Sequence, residues 1–396
     1  MAVSIIQYPS NLTLAQSPIV YVVSESNSQA LTSSSYQYVA ELYYWTGSLS
    51  NSSSAANYTL QKYPNPSGVG QFDISRVVGS LFTDLRQENS SSLYWTKVDA
   101  YEQYKTSPTS SFVTGSHVSS GTRASIDGYQ LFQDTLQVYP NNLYALDTGW
   151  APILTDGPAS QSFNEGDTGR LGVYVVTVTG VTPDRVIYQD NDTGTQQTLM
   201  LSAWAGTSET AITTIPLTEE ESDFPFAGNL TDYSFAVYDG AVQLSNSITM
   251  TSECTKKYPP VRIAWKNRYG QFDYFNFNLV SKQSMKSERS RYQPQIGSWG
   301  SRTLNYNDYD SSIQNYITDS TLKLIVNTDY VSEDYNEIFK QLMVSDEIYW
   351  LYDQPNNKVK PLALDTSQFN IKTNVVDKLI QYSFEFTQGQ GYKLIF

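Results

Sequence analysis

The sequence predicts a mainly β, multidomain protein built of β-sandwiches with two short helices. Apolar and polar residues alternate over short runs along most of the chain, as in YQYVAELYYW (36–45) and YSFAVYDG (233–240). Aromatic residues are abundant, with 31 Tyr, 16 Phe and 7 Trp, which suits pleated surfaces and large packed interfaces. A length of 396 residues also exceeds what a single hydrophobic core ordinarily organises.

Taken in order, SPIVYVVS (17–24), YQYVAELYYW (36–45) and YTLQKY (58–63) read as strands, the last two separated by an NSSSAAN loop. PNPSGVGQ (64–71) is a turn-rich connector. In DISRVVGSLF (73–82), Ile74, Val77, Val78 and Leu81 follow the i, i+3, i+4, i+7 spacing of a short amphipathic helix, with Asp73 placed to cap it or to favour its positive end. WTKVDAYEQY (95–104) returns to strand. The small polar segment SPTSSFVTGSHVSSGT (107–122) predicts a mobile loop. Together these form an N-terminal β-rich domain, 1–145.

LDTGWAPILTDGPASQSFNEGDTG is rich in Gly, Pro and Asp and marks a boundary. After it, LGVYVVTVTG, DRVIYQDN, QQTLMLSAW, AITTIPL, YSFAVYDG and NSITMT are separated by turn signals roughly every ten residues, the cadence of a small sandwich. A central immunoglobulin- or fibronectin-like β-sandwich is expected at 146–255, with TEEESDF (218–224) as a solvated acidic loop.

ECTKKYPP (253–260) marks the second boundary, opening a C-terminal domain, 256–396. VRIAWKNRYGQFDYFNFNL (261–279) predicts a hairpin. Val261, Ile263 and Trp265 share one parity, as do Asp273, Phe275, Phe277 and Leu279, and Gly270 can take positive φ in the NRYG turn. The GQFD of 70–73 recurs at 270–273, but no regular repeat accompanies it. SEDYNEIFKQLM (332–343) predicts a helix with Ser332 as N-cap, Glu333 and Asp334 in its first turn, and an apolar stripe of Tyr335, Ile338, Phe339 and Leu342. EIYWLYD and KVKPLALD make a hairpin around QPNN, and FNIKTN and KLIQYSFEF alternate as strands.

Charge and composition bear on function. A net charge of −14 argues against a nucleic-acid surface. Cys254 is the only cysteine, so no intrachain disulfide can form. No apolar run approaches the length of a membrane helix, and MAVSIIQYPSNLTLAQ does not read as a secretory signal. His117, the only histidine, lies in GSHVSS without a G-x-S-x-G elbow, so nucleophilic catalysis has little to work with; one Cys and one His cannot build an ordinary zinc site. Paired carboxylates of a glycosidase could be drawn from TEEESDF, though consecutive acids there read more simply as a solvated face. Calcium has two candidates, Asp190 and Asp192 in QDNDTG (189–194) and Asn307, Asp308 and Asp310 in NYNDYDSS (305–312), both of which also read as ordinary turns. No catalytic residue, metal or cofactor is assigned.

KQSMKSERSRYQ (282–293) concentrates Lys282, Lys286, Arg289 and Arg291 with a single acid on an otherwise acidic chain. It reads as a solvated strand or loop, as a dock for an acidic neighbouring subunit through loops such as 218–224, or as a contact for nucleic acid or an acidic surface. The many tyrosines also allow stacking on sugar rings.

The segment KYPPVRIAWKNRYGQFDYFNFNLVSKQS resembles a pattern in structural proteins of tailed bacteriophages, W-x-N-x-x-G-x-x-D-Y-F-x-F, here Trp265, Asn267, Gly270, Asp273, Tyr274, Phe275 and Phe277. LKLIVNTDYVSEDYNEIFKQLMVSDEIYWLYD, IKTNVVDKLIQYSFEF and, near the start, SPIVYVV, YQYVAELYYW and KYPNPSGVGQFDISRVV extend the likeness over about half of the chain. The resemblance implies a virion structural protein with a C-terminal domain similar to a tail-tube or hub β-sandwich bearing one flanking helix. It further implies a ring, with a hexamer as one option, that docks other tail, baseplate or connector proteins after assembly in the host cytoplasm. Binding rather than turnover is expected. The alternatives are a receptor- or carbohydrate-binding adhesin that recognises a host-surface glycan and, further off, a glycan-degrading enzyme.

Overall fold

The computed structural model describes residues 3–9, 12–25, 35–47, 54–82, 93–129, 153–175, 183–201, 212–228, 230–253, 257–295, 297, 302–303, 305, 307–356, 358–373, 380–389 and 392–395. The fold is mainly β. Contacts divide the chain into two units: Met1–Ser252 with Lys266–Asp273, and Glu253–Trp265 with Tyr274–Phe396.

The first unit begins with β1 (Ser4–Gln7), β2 (Leu12–Leu14), β3 (Val20–Ser24), β4 (Gln37–Trp45), β5 (Tyr58–Lys62) and β6 (Val69–Asp73). Helix α1 (Ser75–Gly79) follows, then β7 (Leu93–Tyr104), β8 (Val113–Thr114) and β9 (Val118–Ile126). Two sheets result, β1-β3-β6 and β2-β9-β7-β4-β5, with β8 added to β7. Tyr21, Tyr38, Leu42, Phe72, Ile74, Val78 and Val98 fill a core in this part of the unit. Tyr38 is fully buried because its ring lies against Gly70, where an added Cβ would fall 2.5 Å from it, and its hydroxyl donates to the Gly68 carbonyl.

Two sequence expectations change here. The segment 107–122 is not a free loop: Val113–Thr114 and everything from Val118 onward are strand, and β9 sits between β2 and β7. Its small polar residues are those a strand needs where one face stays wet. The helix at 73–82 is only five residues long, and Asp73 acts before it rather than as its N-cap. The Asp73 carboxylate accepts from Ser75 N (2.9 Å) and Ile19 N (3.2 Å), tying the helix entry to the start of β3.

The same unit continues with β10 (Ser160–Phe163), β11 (Arg170–Tyr174), β12 (Arg185–Asp190), β13 (Gln196–Met200), β14 (Ile212–Pro216), β15 (Asp232–Asp239), β16 (Val242–Gln243) and β17 (Ile248–Ser252). β11 pairs with β14, while β10-β17-β15-β12-β13 form a second sheet with β16 on β15. Tyr188, Tyr233 and Phe235 stack within it, and Leu12, Trp45, Trp95, Ile126, Leu154, Tyr174 and Ile212 form a further core. The 145/146 boundary and Cys254 lie outside the described residues.

The second unit holds most of β18 (Val261–Lys266) and β19 (Phe272–Phe277), then β20 (Lys282–Tyr292), β21 (Gln314–Asn327), helix α2 (Asn336–Val344), β22 (Ile348–Asp353), β23 (Lys358–Leu364), β24 (Ser383–Gln388) and β25 (Tyr392–Ile395). They form one sheet in the order β19-β18-β22-β23-β24-β21-β20, with β25 on β21. The α2 stripe covers it. Ile338, Phe339 and Leu342 are buried against Ile263, Trp265, Phe275, Phe277, Val326 and Phe384, and the Phe339 ring meets Phe275, Phe384 and Tyr382 at 5.1–5.5 Å.

Ser332 does not cap α2. A 3-10 turn (Glu333–Tyr335) intervenes, and the Ser332 hydroxyl bonds the Asp334 carboxylate instead. FNIKTN is not a strand over its described residues, 369–373. Phe369 leaves the sheet to pack on Tyr382 (4.9 Å), and Lys372 N donates to the Tyr382 hydroxyl, so local packing overrides the alternation.

Candidate interaction surface

The hairpin at 261–279 is a packing element. Ile263, Trp265 and Phe277 are fully buried and Phe275 nearly so, in the second unit. Tyr274 lies under the Arg262 guanidinium, 5.1 Å from its ring centre. Its tip is shaped by Asn267, whose side-chain oxygen accepts from Tyr269 N and Gln271 N while its amide donates to the Leu154 carbonyl at 2.9 Å. Gly270 has φ +72, and a Cβ there would fall 1.9 Å from the Asp127 carbonyl oxygen, so glycine is required twice over.

Charged groups converge on this tip within the first unit. Lys266 pairs with Asp127, and Arg268 pairs with Asp156, which also accepts from the Tyr269 hydroxyl at 3.0 Å. Asp273 is 3 % exposed and accepts from Thr155 Oγ1 at 2.7 Å. Burial, reinforced by the Asp156 charge, pushes its carboxyl up to about 7 against the opposing pull of the Thr155 and Asn267 hydrogen bonds.

The remaining candidates resolve into local structure. His117 precedes β9 with its Nδ1 3.8 Å from the Glu41 carboxylate and its ring 4.2 Å from that of Tyr101. Glu41 also accepts from the hydroxyls of Tyr43 and Tyr101. In QDNDTG, Asp190 accepts from Asp192 N, Thr193 N and Thr193 Oγ1, closing the β12–β13 turn at Gly194 (φ +73). In NYNDYDSS, Asp310 Oδ2 accepts from Asn307 N, and Asp310 N donates back to the Asn307 carbonyl. Among the described residues, no group of three or more His, Cys, Asp or Glu side chains is arranged to hold a metal.

The acidic loop is not simply solvated. Asp223 grips the Arg170 guanidinium with both oxygens, at 2.7 and 2.8 Å, and Glu221 adds 3.0 Å. Arg170 is largely buried, so Glu221 and Asp223 serve the fold, while Glu220 of the same loop is exposed. Glu219 is pushed upward by burial and by the neighbouring Glu220 charge.

The basic cluster occupies β20, and the strand divides it. Lys282 and Lys286 point to one face with Ser284, Glu288, Ser290 and Tyr292. Arg289 and Arg291 point to the other with Gln283, Met285 and Ser287. Ten of the eleven residues are exposed, Ser287 being half-buried through its hydroxyl contact with Ser320 at 2.9 Å. β20 pairs with β21 over its whole length and is the terminal strand of its sheet among the described residues. The irregularity at Ser290/Arg291 lies in β21, which has Tyr316 as the extra residue, so β20 is unbulged. Composition pointed to the cations; the signal for an edge was polarity at both parities without Gly or Pro. At the opposite end of the sheet, β19 is mostly buried. β20 is therefore the long open edge of this sheet.

No protein-family profile matches the chain, and no curated protein matches it. Among solved structures, the SafA pilin of Salmonella enterica in complex with the SafB chaperone is similar at 11 % identity and a TM-score of 0.21, over 63 % of this chain and 95 % of that one. The alpha-2-macroglobulin of E. coli in its native conformation gives 11 % and 0.22, over 82 % of this chain and 21 % of that one. Extracellular domains 3–5 of Drosophila OTK give 8 % and 0.21, over 81 % and 92 %. Likeness at this level carries no argument about fold relationship or function.

Proposed function

We propose that this chain is a structural protein of a tailed-phage virion that works by self-association and by docking neighbouring proteins, not by turnover. The observation that carries the binding role is β20: an exposed, unbulged, eleven-residue edge strand with Lys282, Lys286, Arg289 and Arg291 along it. Exposed edges of this length are templates for further strands, and proteins that keep them ordinarily use them or block them. The virion assignment is supported by the sequence pattern around Trp265, Asn267, Gly270, Asp273, Tyr274, Phe275 and Phe277.

Two measurements test the proposal. The mass of the purified chain in solution should exceed that of a monomer and fall on dilution, a ring giving a fixed multiple. Peptides of the chain should be found in density-purified tailed particles. A strictly monomeric chain that binds a selective set of sugars on a glycan array would replace this reading with an adhesin.

A further inference from the structure

We infer that the open edge of β20 takes a second copy of itself, antiparallel and with Ser287 on the two-fold axis, joining two sheets into one. The inference deepens the self-association reading and rests on it. In an antiparallel pair, residues directly opposite lie on the same face, so a two-fold pair of β20 strands must match even with even and odd with odd positions. Only the register about Ser287 overlaps all eleven residues. It sets Lys286 opposite Glu288 twice and Lys282 opposite Tyr292 twice, with Arg289 facing Met285, Arg291 facing Gln283 and Ser284 facing Ser290. No like charges are opposed.

Neighbouring registers are worse. Moving the axis to Lys286 opposes two lysines, moving it to Glu288 opposes two glutamates, and moving it to Arg289 opposes two arginines. The register about Met285 keeps Lys282 opposite Glu288 but pairs only residues 282–288. Cations along an edge ordinarily repel an incoming strand. Here the single acid, Glu288, lies two residues from Lys286 on the same face, where the two already meet within one chain at 2.7 Å. That placement converts a generally repellent edge into one that accepts its own sequence in one alignment. About ten intermolecular backbone hydrogen bonds would form over this length.

The contact is isologous, so it links copies in twos, whether or not a ring forms through other surfaces.

The test uses the full chain carrying Cys254→Ser, with single cysteines introduced along β20. Ser287→Cys should form a disulfide-linked dimer on mild oxidation, Met285→Cys and Arg289→Cys should not do so alone, and a mixture of those two should cross-link to each other. Lys286→Glu sets like charges opposite and should weaken dimerisation about tenfold, Glu288→Lys likewise, and the double exchange should restore it. Both sites are exposed, so folding is not at stake.

Self-association of the Ser287→Cys variant without a cross-link, or a cross-link through Met285→Cys alone, would overturn the proposed register while leaving self-association intact. A monomer at every attainable concentration would overturn both. Equal dimerisation by Lys286→Glu and the parent chain would remove the charge argument and the register with it.

Discussion

Asp273→Asn should abolish a pH dependence of stability that begins in the acid range and ends near neutrality. The Asp273 carboxyl is buried, and its folded-state value of about 7 stands roughly three pH units above the ordinary 3.8. The folded state therefore holds a proton that the unfolded chain releases. Its stabilisation is complete below pH 3.8, declines as pH rises from there and is gone above about 7. At 1.36 kcal/mol per unit this amounts to about 4 kcal/mol across the interval. Asparagine preserves the shape and can still accept from Thr155 Oγ1 while carrying no charge. Urea titrations of both proteins at several pH values between 4 and 8, following the first unit, measure the difference. The wild type should lose about 4 kcal/mol relative to Asp273→Asn as pH rises, and the variant should be the more stable protein at pH 8. Equal pH slopes in the two proteins would refute the assignment of that proton to Asp273.

Phe339→Ala, which empties the aromatic centre under α2, should cost about 3–5 kcal/mol in thermal or urea unfolding of the second unit. Arg170→Ala leaves Asp223 and Glu221 facing each other without their cation and should cost about 3 kcal/mol; Arg170→Lys, which cannot reproduce the two-oxygen grip on Asp223, should recover only part. Gly270→Ala meets both the Asp127 carbonyl and a positive φ, and it should destabilise by about 3 kcal/mol or block expression of folded protein.

Strands with one dry and one wet face were legible in the sequence, because alternation and burial are the same fact. β4, β7, β12 and β15 lie where period-2 runs place them, and so does β18, although both of its faces are buried. The α2 stripe was legible for the same reason at period 3.6, although its cap was not, since Ser332 finds a nearer partner in Asp334. Pairing between distant segments was not legible. Nothing local to 118–126 says that β9 lies between β7 and a parallel β2, and nothing in TEEESDF says that Arg170, some fifty residues earlier, is its counterion. The basic cluster was visible as composition, but its division between two faces needed the knowledge that all eleven residues form one strand. The protonation of Asp273 was hidden as well, because burial from Thr155 and its neighbours is a tertiary quantity.

The segment Lys266–Asp273 belongs to the first unit although it lies after Ser252 in the chain. During synthesis, therefore, the first unit cannot finish folding when residue 252 leaves the ribosome; it waits for Asp273. Until then the carbonyl of Leu154 lacks its Asn267 donor, Asp127 lacks Lys266, and Asp156 lacks Arg268. A fragment cut at 252 would carry those acids without their cations. One cut at 273 would have every partner of the tip but would leave Trp265 and the rest of β18 without the sheet that buries them. No single cut separates two self-sufficient pieces, so the two units are bound to a common order of biogenesis by an eight-residue insertion.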